Sequence, residues 1–224
     1  VDLSVILPTL NERENLAILV PRLRAVLASI LPASRYEILV VDAGSSDGTA
    51  EVAGELADRV VRQSRPGYGQ ALREGFAAAR GEYLATLDAD LSHEPSFLPG
   101  MWQECASADI LIASRYVPGG RADMSWGRKV LSRILNLVFR TVLALPLRDM
   151  SSGFRLYHRS VLHSIGLEGI DFDILPEIVV RSLAGGWRVR ELPFHYSPRQ
   201  YGGSKARLLR FGCSYLTTLG RLWR

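Results

Sequence analysis

The sequence predicts a single α/β domain whose sheet is mainly parallel. Short apolar runs alternate with helical stretches through the first half of the chain, which implies βαβ units with right-handed crossovers. Its 224 residues suit one large domain with a full core. The acidic residues Asp42, Asp88 and Asp90 fall at the carboxyl ends of expected strands, the edge where open α/β sheets hold ligands.

Each element has a local reason. Leu3 to Pro8 (LSVILP) is an apolar run read as a buried strand. The loop Thr9-Leu10-Asn11-Glu12 follows, then a helix from about Glu14 to Leu31. Tyr36 to Asp42 is the second strand. It ends in Ala43-Gly44-Ser45-Ser46-Asp47-Gly48, turn chemistry that can also cap a helix over Thr49 to Leu56. Arg59 to Arg62 is a short third strand, Gly67 to Ala79 a helix, Glu82 to Asp88 a fourth strand and Ile110 to Ser114 a fifth. In the second half, residues 125–147 and 205–224 read as basic amphipathic helices within the same domain, 1–224. Val130, Ile134, Leu137, Val138 and Leu145 keep helical spacing, with Arg133 and Arg140 expected on the other side. Such a helix suits a membrane interface. A helix packed on the sheet with two solvated arginines has the same pattern.

Composition narrows the classes. Hydrophobic residues at 47% and charged residues at 22% exclude disorder and fibrous repeats, and there is no internal repeat or low-complexity tract. Two cysteines, Cys105 and Cys213, supply neither a disulfide framework nor a thiolate metal cage, so a reducing compartment is expected. The net charge of +4 fits anionic partners: nucleotide, phosphate, anionic lipid or nucleic acid. Nucleic acid is disfavoured, because the basic residues are not gathered with aromatics in a recognised module. Mean hydropathy is +0.07, yet no apolar run reaches the roughly 18 residues that span a bilayer. No secretory leader is read, and the chain opens on Val1 rather than Met.

The chemistry-bearing candidates are few. Asp88-Ala89-Asp90 closes an apolar strand, and two carboxylates so placed can both reach a divalent cation. The plainer reading has one capping the next helix and the other solvated. An EF-hand loop is excluded, since its sixth position would be His93 and its twelfth Pro99. A phosphatase with an aspartyl nucleophile also uses two such aspartates, but here the motif lies behind three earlier strands. Gly67-Tyr68-Gly69 lacks the third glycine of a dinucleotide fingerprint and reads as a turn with a helix start. GxxxxGK[ST] and GxSxG are absent, and His93, His158, His163 and His195 show no ligand spacing.

Taken in order, Pro8-Thr9-Leu10-Asn11-Glu12, Asp42-Ala43-Gly44-Ser45-Ser46-Asp47-Gly48-Thr49 and Asp88-Ala89-Asp90-Leu91-Ser92-His93 resemble the motifs of family 2 glycosyltransferases with the GT-A fold. Ser114 to Val117, Trp126 to Asn136, Ser152-Gly153-Phe154-Arg155 and Arg199-x-x-Gly202-x-Ser204-Lys205 resemble dolichol-phosphate mannose synthases and their bacterial polyprenol-phosphate relatives. The likeness runs from Val1 to about Leu209.

That resemblance implies a three-layer GT-A sandwich and inverting transfer of mannose from GDP-mannose to polyprenyl (dolichyl) phosphate. UDP-glucose or another nucleotide sugar is the alternative donor. Catalytic roles are implied for Asp90, Arg115 and Arg128. Pro8, Thr9, Glu12, Asp42, Asp88, Arg199 and Lys205 would bind the nucleotide sugar, with Arg199 and Lys205 on a Gly-containing loop that clamps the pyrophosphate. Arg115, Arg128 and Ser132 would grip the acceptor phosphate, for which arginine's fork is suited. Asp88, Asp90 and Ser92 would hold Mg²⁺ or Mn²⁺. Asp47 has two readings, ligand or helix cap. The expected setting is peripheral, on the cytoplasmic face of a membrane. A membrane-anchoring partner protein fits as well, and so does a partner-dependent subunit that only binds sugar nucleotide.

Three positions depart from the family pattern. Ser92 stands where many members carry Gln, a change that weakens the third metal ligand. Leu10 replaces a frequent Tyr in the nucleotide loop, and Ala43 a frequent second Asp.

Overall fold

The computed structural model describes residues 1–199 and 217–222, apart from the side chain of Arg128. The chain runs β1 (Leu3–Thr9), α1 (Arg13–Ala28), β2 (Tyr36–Asp42), α2 (Thr49–Leu56), β3 (Arg59–Arg62), α3 (Tyr68–Ala78), β4 (Tyr83–Thr86), α4 (Leu98–Gln103) and β5 (Ile110–Ser114). It continues through β6 (Arg121–Ala122), α5 (Trp126–Val142), β7 (Arg155–His158), α6 (Arg159–Ser164), α7 (Ile174–Ala184), β8 (Val189–Pro193) and β9 (His195–Tyr196).

The main sheet has the strand order β3-β2-β1-β4-β7-β5-β8, and β6 pairs with β9 in a small ribbon. Only β7 runs antiparallel to its neighbours in the main sheet. The mainly parallel α/β architecture expected from the sequence is therefore present, with one reversed strand. That strand carries the Arg155 motif into the middle of the sheet.

The apolar runs are continuous because both faces of these strands are covered. Leu3, Val5 and Leu7 of β1 and Ile38 and Val40 of β2 pack with Leu16, Leu19, Leu23 and Leu27 of α1. Ile6, Leu39 and Val41, on the alternate face, pack with Leu72 and Phe76 of α3 and Ile174 and Ile178 of α7. The result is a helix–sheet–helix sandwich.

Strand order also sets the ligand edge. β1 lies between β2 and β4, pairing in parallel with both, so crossovers leave it in both directions. Thr9 is in register with Asp42 at the carboxyl ends, and Asp88 follows two residues after β4.

Two helices differ from expectation. α5 ends at Val142, short of Leu147; Ala144 takes a left-handed φ of 49°, and Pro146 disfavours helix in the residue before it. Its buried face is Leu135, Asn136 and Phe139, whereas Ile134 and Leu137 are exposed beside Arg133 and Arg140. Arg133, Leu137 and Arg140 are spaced four and three apart and share one stripe, so the arginines do not lie opposite the apolar residues. Of the helix expected over 205–224, residues 217–222 are helical. There Thr218 is buried, its hydroxyl donating to Asp173 at 2.9 Å, and Leu219 and Leu222 pack on the core. The rest of that expectation lies outside the described residues.

Candidate active site

A cavity of about 800 Å³ opens at the carboxyl edge of β1 and β4, a size that suits a substrate pocket. Pro8, Thr9 and Glu12 line it, as do Asp88, Asp90, Arg115, Ser132 and Arg199. The structure thus brings together most of the candidates read from the sequence.

One end is acidic. Asp88 sits deep in the cavity, with about 31% of its side chain exposed. Desolvation raises its carboxyl pKa and the Asp90 charge adds to that, against His93, the Tyr68 hydrogen bond and Arg115. Tyr68 donates from its hydroxyl to Asp88 Oδ1 at 3.1 Å. The Asp88 backbone N–H donates to His93 Nδ1 at 3.0 Å. That bond leaves the ring proton on Nε2, which faces Asp88 Oδ2 at 3.7 Å.

Asp90 folds its own loop. Its Oδ1 accepts from the backbone N–H and the hydroxyl of Ser92. Ser92 is fully buried. Its hydroxyl donates to Asp90, and Ser92 does not line the cavity. Arg199 bridges the acidic end, with Nη1 3.0 Å from Glu12 Oε1 and Nη2 3.2 Å from Asp90 Oδ2. Glu12 also accepts from Asn15 Nδ2.

Asp42 is committed to its own turn. It is buried, and its carboxylate accepts from the backbone N–H groups of Gly44 and Ser45 and from the Ser45 hydroxyl. It builds the turn, and its neighbour Ala43 lines the cavity instead. Asp47 accepts from the Thr49 backbone N–H at 3.0 Å and from the first N–H of α1, Arg13, at 3.2 Å. Partial burial works to raise its pKa, but these hydrogen bonds outweigh it and hold the carboxyl low. Asp47 thus satisfies the first backbone N–H of both α1 and α2.

The other end is basic and rich in hydroxyls. Arg115 donates from Nε to Asp149 Oδ2 and from Nη2 to Asp149 Oδ1, both at 2.7 Å. Its Nη2 also reaches Ser151 Oγ at 2.7 Å. Ser132 Oγ lies 3.3 Å from Ser151 Oγ, and Asn136 Nδ2 donates to that same oxygen at 3.0 Å. Asp149 is fully buried. Desolvation would raise its pKa, but the Arg115 charge and hydrogen bonds outweigh that and leave the carboxyl below its usual range. Arg115 is likewise held above its ordinary value, desolvation notwithstanding. Glu191 of β8 sets this loop, accepting from the Asp149 and Arg148 backbone N–H groups at 2.8 Å.

Arg155 is fully buried and donates to the carbonyls of Met150, Ser152 and Leu175 at 2.6–2.8 Å. From within the core it braces the Met150–Ser152 segment behind the cavity. Gly153, beside it, could not carry a side chain: a Cβ there would lie 2.5 Å from Tyr68 Oη and 3.2 Å from Asp88 Oδ1. The Arg128 side chain and Lys205 lie outside the described residues.

Sequence reasoning missed Tyr68, His93, Asp149 and Ser151. Tyr68 had a signal in Gly67-Tyr68-Gly69, which is indeed a turn and helix start. Gly67 has a φ of 125°, and a Cβ on it would meet the Ile170 carbonyl at 2.3 Å. The turn docks on the 169–172 loop, where Phe172 stacks on Tyr68 with centroids 4.4 Å apart.

Among the described residues no cluster of three or more His, Cys, Asp or Glu could hold a metal ion. Asp88 and Asp90 nonetheless fit Mg²⁺ or Mn²⁺. Mg²⁺ is commonly bound by one or two carboxylates plus substrate phosphates, without an all-protein cage.

The helix–sheet–helix sandwich, with its cavity at the carboxyl edge of the sheet, is a GT-A fold. Glucosyl-3-phosphoglycerate synthase from Mycobacterium tuberculosis, solved with Mn²⁺, UDP and glucosyl-3-phosphoglycerate, superposes with a TM-score of 0.75 at 20% identity, over 99% of this chain and 79% of that one. The same enzyme solved with Mg²⁺ and UDP gives 0.75 at 19%, with the same coverage. These likenesses speak to the fold.

Residues 4–166 match the model of Glycosyl transferase family 2, and the chain belongs to that family. It is 39% identical to a polyprenol monophosphomannose synthase of Mycolicibacterium smegmatis over 90% of this chain and 79% of that protein. It is 37% identical to a dolichol-phosphate mannosyltransferase of Pyrococcus furiosus over 90% of this chain, which spans 58% of that protein's length.

Proposed function

We propose that this glycosyltransferase moves mannose from GDP-mannose to a polyprenyl phosphate, with inversion at the anomeric carbon. The observation that carries the reading is a single cavity with two unlike ends: Asp88, Asp90 and Arg199 at one, Arg115 with Ser132 and Ser151 at the other. The relatives named for polyprenol- and dolichol-phosphate mannose support the sugar and the acceptor of this reading.

The donor diphosphate belongs at the acidic end. Asp88 and Asp90 would hold Mg²⁺ or Mn²⁺ there, and the metal supplies Lewis-acid neutralisation of the leaving diphosphate. Tyr68 and His93 fix Asp88, and Ser92 fixes Asp90, so both carboxylates are oriented before the donor arrives. Arg199 already lies within 3.2 Å of Asp90. It supplies a second positive group where the leaving group departs; the family resemblance assigns Lys205, outside the described residues, to the same diphosphate.

The acceptor phosphate belongs at Arg115. A phosphate monoester is largely ionised at pH 7, its second pKa being about 6. The nucleophile therefore needs no general base, and none is assigned. Asp149 holds the Arg115 fork in place, and Ser132 and Ser151 lie beside it to complete the anion's seat; the family resemblance assigns Arg128, whose side chain lies outside the described residues, to the same phosphate. Positioning two anions on opposite faces of the sugar is the main catalytic act.

A polyprenyl tail is lipid, so the proposed reaction takes place at a membrane surface. Among the described residues no helix is long and apolar enough to cross a membrane. An anchoring partner is compatible with this arrangement.

Calorimetry with Mg²⁺ tests the donor assignment. GDP-mannose should bind at least about tenfold more tightly than UDP-glucose, a difference of about 1.4 kcal/mol. Tighter binding of UDP-glucose would replace mannose with glucose in this reading.

A further inference from the structure

A second groove, of about 370 Å³, starts at Arg115 and runs beside α5. Arg133, Arg140 and Arg148 line it together with Tyr116. All three arginines are exposed, and among the described residues none is ion-paired with a carboxylate. The acids nearby are engaged elsewhere. Glu191 accepts from Ser114 and from the backbone of Arg148 and Asp149, and Asp149 accepts from Arg115. The Arg133 guanidinium stands 5.7 Å from the Tyr116 ring centroid. The Tyr116 hydroxyl is buried and has no hydrogen-bond partner among the described residues. Three unneutralised guanidinium groups and one unmet hydroxyl describe a seat for an anion.

The surface beside the groove says which anion. Trp126, Ile134 and Leu137 of α5 are 81%, 52% and 59% exposed. Trp126, Arg133, Leu137 and Arg140 are seven, four and three residues apart, so charge and apolar bulk share one stripe. A soluble phosphate would use the arginines and leave the apolar residues in water. An anionic leaflet uses both, because its headgroups meet the guanidinium groups while tryptophan and the aliphatic side chains enter the acyl boundary.

We infer that this groove takes the headgroup phosphate of an anionic membrane phospholipid and so seats α5 in the bilayer surface. The inference rests on the membrane setting proposed above. It adds a second phosphate site, distinct from that of the acceptor, with Arg133, Arg140 and Arg148 as its cations and Tyr116 as its neutral donor.

Flotation of the whole chain with phosphatidylcholine vesicles, with and without phosphatidylglycerol, tests it. The wild type should float with phosphatidylglycerol vesicles and lose binding as salt rises. Arg133→Gln/Arg140→Gln/Arg148→Gln should weaken that binding at least about tenfold. Arg22→Gln/Arg62→Gln/Arg80→Gln, the same charge change elsewhere, should stay within about threefold. Equal weakening by the two triples, or no weakening by the first, overturns the inference. Arg140→Glu alone serves as a second variant, again expected to weaken binding about tenfold.

Turnover of a short-chain polyprenyl phosphate in detergent separates this inference from the proposed function. The groove triple should turn over like wild type; collapse there would place the acceptor in the groove and overturn the headgroup assignment. A wild type that turns over no polyprenyl phosphate, yet keeps the vesicle contrast, would refute the proposed function and leave the groove standing.

Discussion

Asp149 is the residue whose removal says most about how the basic end is built. It is fully buried, and its partner Arg115 is only 10% exposed, so solvent screens the pair little. Its carboxylate accepts from Arg115 N, Nε and Nη2 and from Ser151 N and Oγ. Asp149→Ala leaves a buried guanidinium unpaired, which costs about 3–5 kcal/mol. Asp149→Asn keeps one acceptor oxygen and should fall at the lower end. For a chain of this length each kcal/mol moves Tm by about 2–4 °C, so a drop of roughly 6–20 °C is expected for the alanine variant. The pH dependence follows from the depressed carboxyl pKa. The stabilisation is fully present above the unfolded value of about 3.9 and is lost as pH falls through the folded value. The gap between wild type and Asp149→Asn should thus be constant from pH 5 to 8, within about 0.5 kcal/mol, and close only below about pH 4. Urea unfolding at several pH values reads both quantities. A loss under about 1 kcal/mol at pH 7, or a gap that closes near neutrality, would refute the buried-pair reasoning.

Asp90→Ala should lower turnover by more than tenfold, or about 1.4 kcal/mol in the barrier; retention of over a tenth of the activity would remove Asp90 from the metal site. Gly153→Ala should push Tyr68 and Asp88 apart from their present contact, since its Cβ would lie 2.5 Å from the Tyr68 hydroxyl. Mn²⁺ binding followed by electron paramagnetic resonance should weaken about tenfold, near 1.4 kcal/mol, and adding Tyr68→Phe should restore part of it. An unchanged Mn²⁺ affinity in the single variant would show that Asp88 does not depend on this contact. Arg115→Ala should mainly raise the KM for polyprenyl phosphate, and Arg199→Ala that for the nucleotide sugar, each by about ten- to a hundredfold for a lost charge-assisted bond. Equal weakening of the donor by both would merge the two anion sites into one.

Much of the fold was legible because parallel strands buried on both faces write continuous apolar runs. LSVILP and YEILVVD fell where β1 and β2 lie. The reversed β7 had no such mark: Arg155 and His158 bound a strand of only four residues. The acidic end was legible because Asp88-Ala89-Asp90 sits at a strand end. Its braces were not, for Tyr68 comes from α3 and reaches Asp88 only through the tertiary fold. The same holds for Asp149, which stands 34 residues from Arg115. Asp42 is a strand-end carboxylate whose turn contacts with Gly44 and Ser45 the motif did not spell out. In α5 the apolar spacing suggested one face, while packing buried another, because Leu135 and Phe139 fit the sheet and Ile134 and Leu137 do not reach it.

The central claim is that one cavity joins a nucleotide sugar to a lipid phosphate. The most direct measurement supplies the purified chain with Mg²⁺, GDP-mannose labelled in the sugar, and polyprenyl phosphate, then partitions the products between solvent and water. The account predicts label in the organic phase as β-linked mannosyl phosphate, absent when the acceptor's phosphate is removed and absent in Asp90→Ala. Label that stays in water as free mannose, or that reaches the lipid only from UDP-glucose, would contradict it.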